Sequence, residues 1–380
     1  MTDTTPELQF LTSESEGWQG IDADHKTDFD AFFTQVFTSR NLAVLSGLGT
    51  SRCIKNSDGE VLAPTMADLW AAVESANKKR FVKVLKQINW KSDVENVELL
   101  LSHCQMQQEL RPDAELATFI EKGEEAIATS CNFIDDKSDL GIHESFLRKV
   151  ARRSTKLPRT QIFTTNYDLA FEVAAARIGF AVIDGFTASS PARFDPTAFD
   201  RDQAHREASE ATAPLDWVPN VVQIHKLHGS IDWTNSDGAV HRGRPSARPI
   251  IVYPRASKFE VSYQQPFLEL MSRFQSSLRR SGTGLLIAGS GFEDRHIAEP
   301  VMAAVRGNVG IRIVVVARSL KDKDKDKGII GALKKLIEEG DRRIALVAGS
   351  FENVVKSLPD LVAPMEEEVH AKRVQSIGDG

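Results

Sequence analysis

Four short stretches bring polar, chemically competent side chains to points where an apolar run ends. In QIFTTNYDLAFEVAAARIG, Gln161 to Gly179, a β-rich run breaks at Thr165, Asn166 and Asp168 and resumes as an apolar-spaced helix. A carboxamide such as Asn166 donates and accepts at once, which suits it to holding a sugar hydroxyl or a water. An ordinary turn asparagine is the other reading. Asp168 is as well placed to cap the next helix as to act on a ligand. In NLAVLSGLGTSRC, Gly47 and Gly49 follow a buried strand, so that amides at the following helix start can face a phosphate. The third glycine of the usual dinucleotide fingerprint is missing, and a plain strand-to-helix turn stays open as the alternative.

HKLHGSIDW carries His225 and His228, which alternation along a strand places on opposite faces. With no HExxH motif and no cysteine partner, that geometry counts against a two-histidine metal site. His225 reads as a buried structural histidine. The last stretch, LLIAGSGFEDRHI, is a buried strand entering the Gly289, Ser290, Gly291 turn, with Asp294 and His296 near a helix start. Ala288 rules out the GxSxG nucleophile elbow there.

Ligands of open α/β sheets bind at the carboxyl ends of the strands, so strands followed by helices must position these residues. TGLLIAGSGF and IRIVVVA are continuous apolar runs separated by the helix HIAEPVMAAVRG, the pattern of parallel strands buried on both faces. The fold class expected is α/β, a doubly wound Rossmann-like parallel sheet over residues 36–360 with an inserted helical module at 64–152. In that insertion Val94, Val97, Leu101 and Cys104 share one face, and Leu116, Ile120, Ile127 and Ile134 another. Residues 1–35 read as a mobile arm or a peripheral helix, and 187–220 as a lid or peripheral loop. KDKDKDKG reads as a solvated loop and 361–380 as a polar tail.

The chain has 380 residues, 41% of them hydrophobic, enough to bury at least one full core. A net charge of −6 provides no general basic surface, so autonomous nucleic-acid binding is not expected, although a local basic patch stays open. No signal-peptide pattern opens the sequence, and no apolar run approaches the about 18 residues of a membrane span. The expected address is therefore the cytoplasm. Cys53, Cys104 and Cys131 are widely spaced and read as reduced thiols, with no metal expected. The absence of a GxxxxGK[ST] loop argues against an independent ATPase.

Taken in order, GLGTS, TTNYD and LHG resemble the sirtuin signature of a GAG-x-S turn, a TQN-[ILVY]-D segment and an HG histidine. LLIAGSGFEDRHI looks like the bacterial sirtuin-like branch, and the resemblance runs discontinuously from about Asn41 to Ala317. The paired CxxC zinc cysteines of sirtuin deacylases have no counterpart here. The chain is thus similar to the zinc-less sirtuin-like NAD+ hydrolases of bacterial anti-phage systems, which deplete NAD+ in abortive infection. It most resembles the subunit that partners a HerA-type hexameric DNA-translocating ATPase.

That resemblance implies NAD+ as substrate, no zinc, and a homo-oligomeric assembly. By it, Gly47, Gly49 and Ser51 bind the pyrophosphate, with Thr50 and Thr165 also among the binding residues, while Gly289 and Ser290 contact the adenosine half. Asn166 orients ribose and water, and His228 acts as general base or holds the ribose hydroxyls. Asp168 orders the constellation, with Asp294 as a lesser member. The products implied are nicotinamide and ADP-ribose, with a cyclised product as a variant. The rival readings are an NAD-dependent deacylase or ADP-ribosyltransferase, and a non-catalytic NAD-binding scaffold.

Overall fold

Strands NLAVLS, QIFT, TGLLIA and IALVA are buried at every position, which requires cover on both faces of the sheet that they form. The computed structural model describes residues 8–22, 24–92, 95–205, 216–246, 249–251, 265–292, 294–322 and 328–361. The expected polar tail beyond residue 361, residues 323–327 of the KDKDKDK run, residues 206–215 of the 187–220 segment, and Val94 lie outside the described residues.

Nine strands form the main sheet: β1 (Gln9–Leu11), β2 (Gln19–Gly20), β3 (Asn41–Ser46), β4 (Gln161–Thr164), β5 (Ala181–Ile183), β6 (Val221–Lys226), β7 (Thr283–Ala288), β8 (Arg312–Ala317) and β9 (Ile344–Ala348). Their spatial order is β2-β1-β9-β8-β7-β3-β4-β6-β5. From β9 to β5 every pairing is parallel, and β1 and β2 add an antiparallel edge. The chain runs outward from β3 through β4 to β5 and β6, then returns to β7 on the other side of β3. The switch point of this doubly wound α/β fold therefore lies between β3 and β7.

The period of two along each strand divides the interior. Leu42 and Val44 face a layer built by α1 (Lys26–Phe37), α6 (Gly141–Ala151), α7 (Ala170–Arg177) and the C-terminal helix Phe351–Ser357. Ala43 and Leu45 face the opposite layer, where the helices Phe267–Arg279, Arg295–Gly307 and Gly328–Glu338 pack. In α1 the spacing of Phe29, Phe33, Val36 and Phe37 builds one apolar stripe beneath a polar composition. Residues 9–37 thus supply two edge strands and a core helix, where composition had pointed to an arm or a peripheral helix.

A third core belongs to the helices α2 (Met66–Ala76), α3 (Phe81–Gln87), α4 (Val97–Leu110) and α5 (Ala114–Cys131). Thr65 opens α2 with a reciprocal capping box to Asp68, and Asn96 and Asp113 cap α4 and α5. Helix α6, still within the 64–152 span, returns to the sheet face instead. In the 187–220 segment, Ala192–Arg193 pairs with the hairpin Trp233–Ser236/Ala239–Arg242, and the turn Pro196–Asp200 buries Phe199. Among the described residues no helix is long and apolar enough to cross a membrane.

Phe33 is fully buried and packs 4.5 Å from the Phe29 ring, so Phe33→Ala leaves a cavity under the sheet. It is expected to cost about 3–5 kcal/mol, read as a lower urea midpoint at unchanged m-value. A loss below about 1 kcal/mol would contradict a load-carrying role for α1.

Candidate active site

In-register pairing places four strand ends side by side. Ser46 is paired with Ala288 on one side and Thr164 on the other, and Thr164 is paired with Lys226. The residues that follow these ends are Gly47 to Ser51, Thr165 to Asp168, His228, and Gly289 with Ser290. All the expected site segments therefore share one carboxyl edge, across the switch point.

The glycine turns meet backbone to backbone. Gly49 N donates to Gly289 O at 3.0 Å. A Cβ at Gly47 would lie 2.7 Å from Gly289 O, and one at Gly49 only 2.5 Å from Gly289 Cα. Gly289 itself has φ +66°, a left-handed conformation that a side chain disfavours. These glycines are required by the approach of one turn to the other, before any ligand is considered. Gly47 leads into a 3-10 helix, Leu48–Cys53, which buries Thr50 and Ser51. Thr50 Oγ1 donates to Gly47 O at 2.9 Å and pairs with Ser46 Oγ at 2.7 Å.

Asn166 joins this turn to the β4 end. Its Nδ2 donates to Ser51 Oγ at 2.9 Å and Gly47 O at 3.1 Å, with Thr50 Oγ1 at 3.3 Å. Its backbone N–H is held by Thr164 Oγ1, and Thr165 N donates to Ser46 O at 3.0 Å. Ser51 Oγ in turn donates to Asp168 Oδ2 at 2.7 Å, while Asp168 Oδ1 accepts from Ala170 N at 3.0 Å at the start of α7. Asp168 thus meets the first amide of α7 from the residue before its N-cap, Leu169, and orders the glycine turn at once, with both carboxylate oxygens engaged inside the protein.

Beneath these loops lies a buried charged cluster that motif reading missed. Lys226, nearly inaccessible, donates from Nζ to Asp168 O and sits 3.4 Å from Glu172 Oε1. Burial raises the Glu172 carboxyl, with Lys226 opposing it, and burial likewise raises Asp232. The helical module closes in from the side: Tyr167 Oη donates to Glu98 Oε1 of α4 at 2.6 Å, and Tyr167 and Ile231 belong to the module's own core. Residues adjacent to Asn166 and close to His228 are thereby anchored in the insertion.

His228 follows β6 immediately before Gly229, whose φ is +86° and where a Cβ would run into Ile250 O. Its Nε2 lies 2.8 Å from Nε2 of His296, at the start of the helix Arg295–Gly307. Burial, and then His296, push His228 down to about 3, so it is neutral at ordinary pH. His296 is the site residue that motif reading saw but did not select; the signal was DRHI just after the Gly-Ser-Gly turn. Asp294 precedes that helix as its N-cap residue without a side-chain cap bond, its backbone O accepting from Ile297 N and Ala298 N. Ser290 Oγ accepts a long 3.4 Å bond from Phe292 N.

His225 points away from this edge and stacks between Phe163 and Phe199, with ring centroids at 4.5 and 4.1 Å. Neither of its nitrogens has a partner among the described residues, and burial holds it well below its usual value. Cys53 and Cys104 thiols are each pushed up to about 12, and Cys131 is raised further, all chiefly by burial. Among the described residues no group of three or more His, Cys, Asp or Glu is placed to hold a metal.

Four histidines set a pH dependence. Burial lowers His143 to about 4, His228 to about 3, and His225 and His296 in the same direction. The unfolded chain takes up these protons near pH 6.5 and the folded chain does not, so the stability these four contribute falls as pH drops from about 6.5 toward 4. Each fully neutral histidine contributes at most about 1.4 kcal/mol per pH unit. His225→Phe is expected to match or exceed the parent's stability at pH 7 and to lose less of it by pH 5, in urea titrations at both values. An unchanged pH slope would contradict a neutral, unpartnered His225.

No curated protein matches the chain. A solved structure described by the words "Structural Basis for the Mechanism and Regulation of Sir2 Enzymes" is 11% identical, with 88% of this chain aligned to 96% of that one. Its TM-score is 0.38. Residues 160–335, which hold Asn166, Asp168, His228, Gly289 and His296 but not the Gly47 turn, match the family described as SIR2-like domain.

Proposed function

We propose that the chain is an NAD+ hydrolase that cleaves the bond between nicotinamide and ribose, giving nicotinamide, ADP-ribose and a proton. The observation that carries this reading is the shared edge: Asn166 and a neutral His228 each stand two residues beyond the paired ends Thr164 and Lys226, next to a glycine turn that Asn166 itself holds. The SIR2-like match over residues 160–335, which hold Asn166 and His228, supports it.

Breaking an N-ribosyl bond builds positive charge on the anomeric carbon, which needs a fixed ribose, an aligned water and late removal of its proton. The 3-10 helix Leu48–Cys53, opened by Gly47, would take the pyrophosphate, with Ser51 and Thr50 held in place by Asn166 and Asp168. The Gly289 and Ser290 turn would receive the adenosine half across the switch point. Asn166 presents a carboxamide whose nitrogen is spent on the loop, leaving the oxygen to align a ribose hydroxyl or the water. Neutral His228 keeps a lone pair with which to accept a proton. Asp168 acts through Ser51 and α7 and is a positioning residue.

In this reading NAD+ loss is the biological output, as in anti-phage abortive infection, with a HerA-type ATPase as partner and a homo-oligomeric assembly. Those further steps rest on the resemblance of GLGTS, TTNYD and LHG to the sirtuin signature and of LLIAGSGFEDRHI to its bacterial sirtuin-like branch.

Purified protein, alone and with its genetic neighbour, is expected to convert NAD+ to equal amounts of nicotinamide and ADP-ribose on chromatography. Asn166→Ala is expected to lower turnover about 10²–10³-fold and His228→Ala about 10²–10⁴-fold, both folding normally. Full activity in either variant would remove that residue from the chemistry. Turnover only in the presence of an acyl-lysine peptide or an acceptor protein would reassign the chain as a deacylase or transferase.

A further inference from the structure

The contact between His228 and His296 is unusual for two rings that both favour the neutral form. Their Nε2 atoms lie 2.8 Å apart, with ring planes inclined at 37°. Two bare nitrogens would repel at that distance and two protonated ones would collide, so the contact holds one hydrogen: one ring donates and the other accepts. The rings are therefore in complementary tautomers. If His228 carries the Nε2 hydrogen, its Nδ1 is a free lone pair and His296 carries its own hydrogen on Nδ1.

Burial differs between them. His228 is 3% exposed, whereas His296 is partly exposed in the first turn of its helix. A helix N-terminus disfavours a lasting positive charge on His296, and Asp294, two residues earlier, opposes that effect. The buried ring thus touches one that reaches solvent and holds a proton only in passing.

We propose that His296 is the positioning residue of a two-histidine proton relay. This rests on the reading of His228 as the group that takes the proton. His228 Nδ1 accepts a proton from the attacking water or the ribose hydroxyl, and its Nε2 proton passes to Nε2 of His296. The Nδ1 proton of His296 leaves to solvent. One proton enters and one leaves, both rings end neutral with tautomers exchanged, and solvent exchange restores them once the products depart.

The test uses full-length His296→Gln and His296→Ala. Glutamine can hold His228 through a hydrogen bond but cannot pass a proton, so it separates a relay from a prop. For His296→Gln we expect an unchanged thermal midpoint, KM for NAD+ within a few-fold, and kcat lower by about 10²–10⁴-fold. Added imidazole should restore part of kcat in His296→Ala. Wild-type kcat in His296→Gln overturns the relay and leaves the hydrolase reading standing. Wild-type protein that cleaves no NAD+ under any condition overturns the hydrolase reading first. The pair is then judged by nitrogen-15 NMR of the histidine rings: complementary tautomers in the wild type, lost in His296→Gln, support it, and identical tautomers overturn it.

Discussion

Everything at the candidate site depends on the parallel register that aligns Ser46, Thr164, Lys226 and Ala288. A slip of one residue in any of these pairings would turn its strand over and send the polar residues beyond it into the opposite layer. The register is enforced from both faces, because each strand alternates its side chains between two separate apolar layers. The switch point then brings the turns after β3 and β7 so close that only glycine fits at Gly47, Gly49 and Gly289. Fold and site are thus one constraint.

On this platform the polar groups hold one another before any ligand arrives. Asn166, Ser51 and Asp168 form a continuous hydrogen-bonded path from the glycine turn to the start of α7. Lys226 ties that path from below to Glu172. Taking these charges out of water is costly, and Oδ1 of buried Asp232, which has no partner among the described residues, adds to the cost. In the proposed reaction such a network would lower the reorganisation needed as a charged transition state forms above it. The insertion contributes by fixing Tyr167 through Glu98, which makes the helical module part of the site's wall.

The sequence made the sheet and the edge legible for a local reason. Continuous apolar runs that break at Gly-rich or Thr-Asn-rich turns mark strand ends, and alternation separated His228 from the stacked His225. Contacts formed across long sequence distances were not legible. The His228 to His296 contact spans 68 residues, and no local pattern says that DRHI will return to LHG. Lys226, Glu172 and Asp232 look like ordinary charged residues until the fold gathers them, Lys226 and Asp232 buried and Glu172 partly so. Residues 9–37 were obscured by the Thr, Ser, Asp and Glu that lead into them, although four buried apolar side chains lie along the helix itself.

The proposed function places NAD+ along this carboxyl edge, across the β3 and β7 switch point. Hydrogen exchange of the full chain with and without a non-cleavable carba analogue of NAD+ tests it most directly. Slowed exchange is expected in peptides covering 46–53, 164–170, 227–231 and 288–297, with the amino edge of the sheet unchanged. Saturating analogue that protects none of these segments, or protects the amino edge instead, would contradict it.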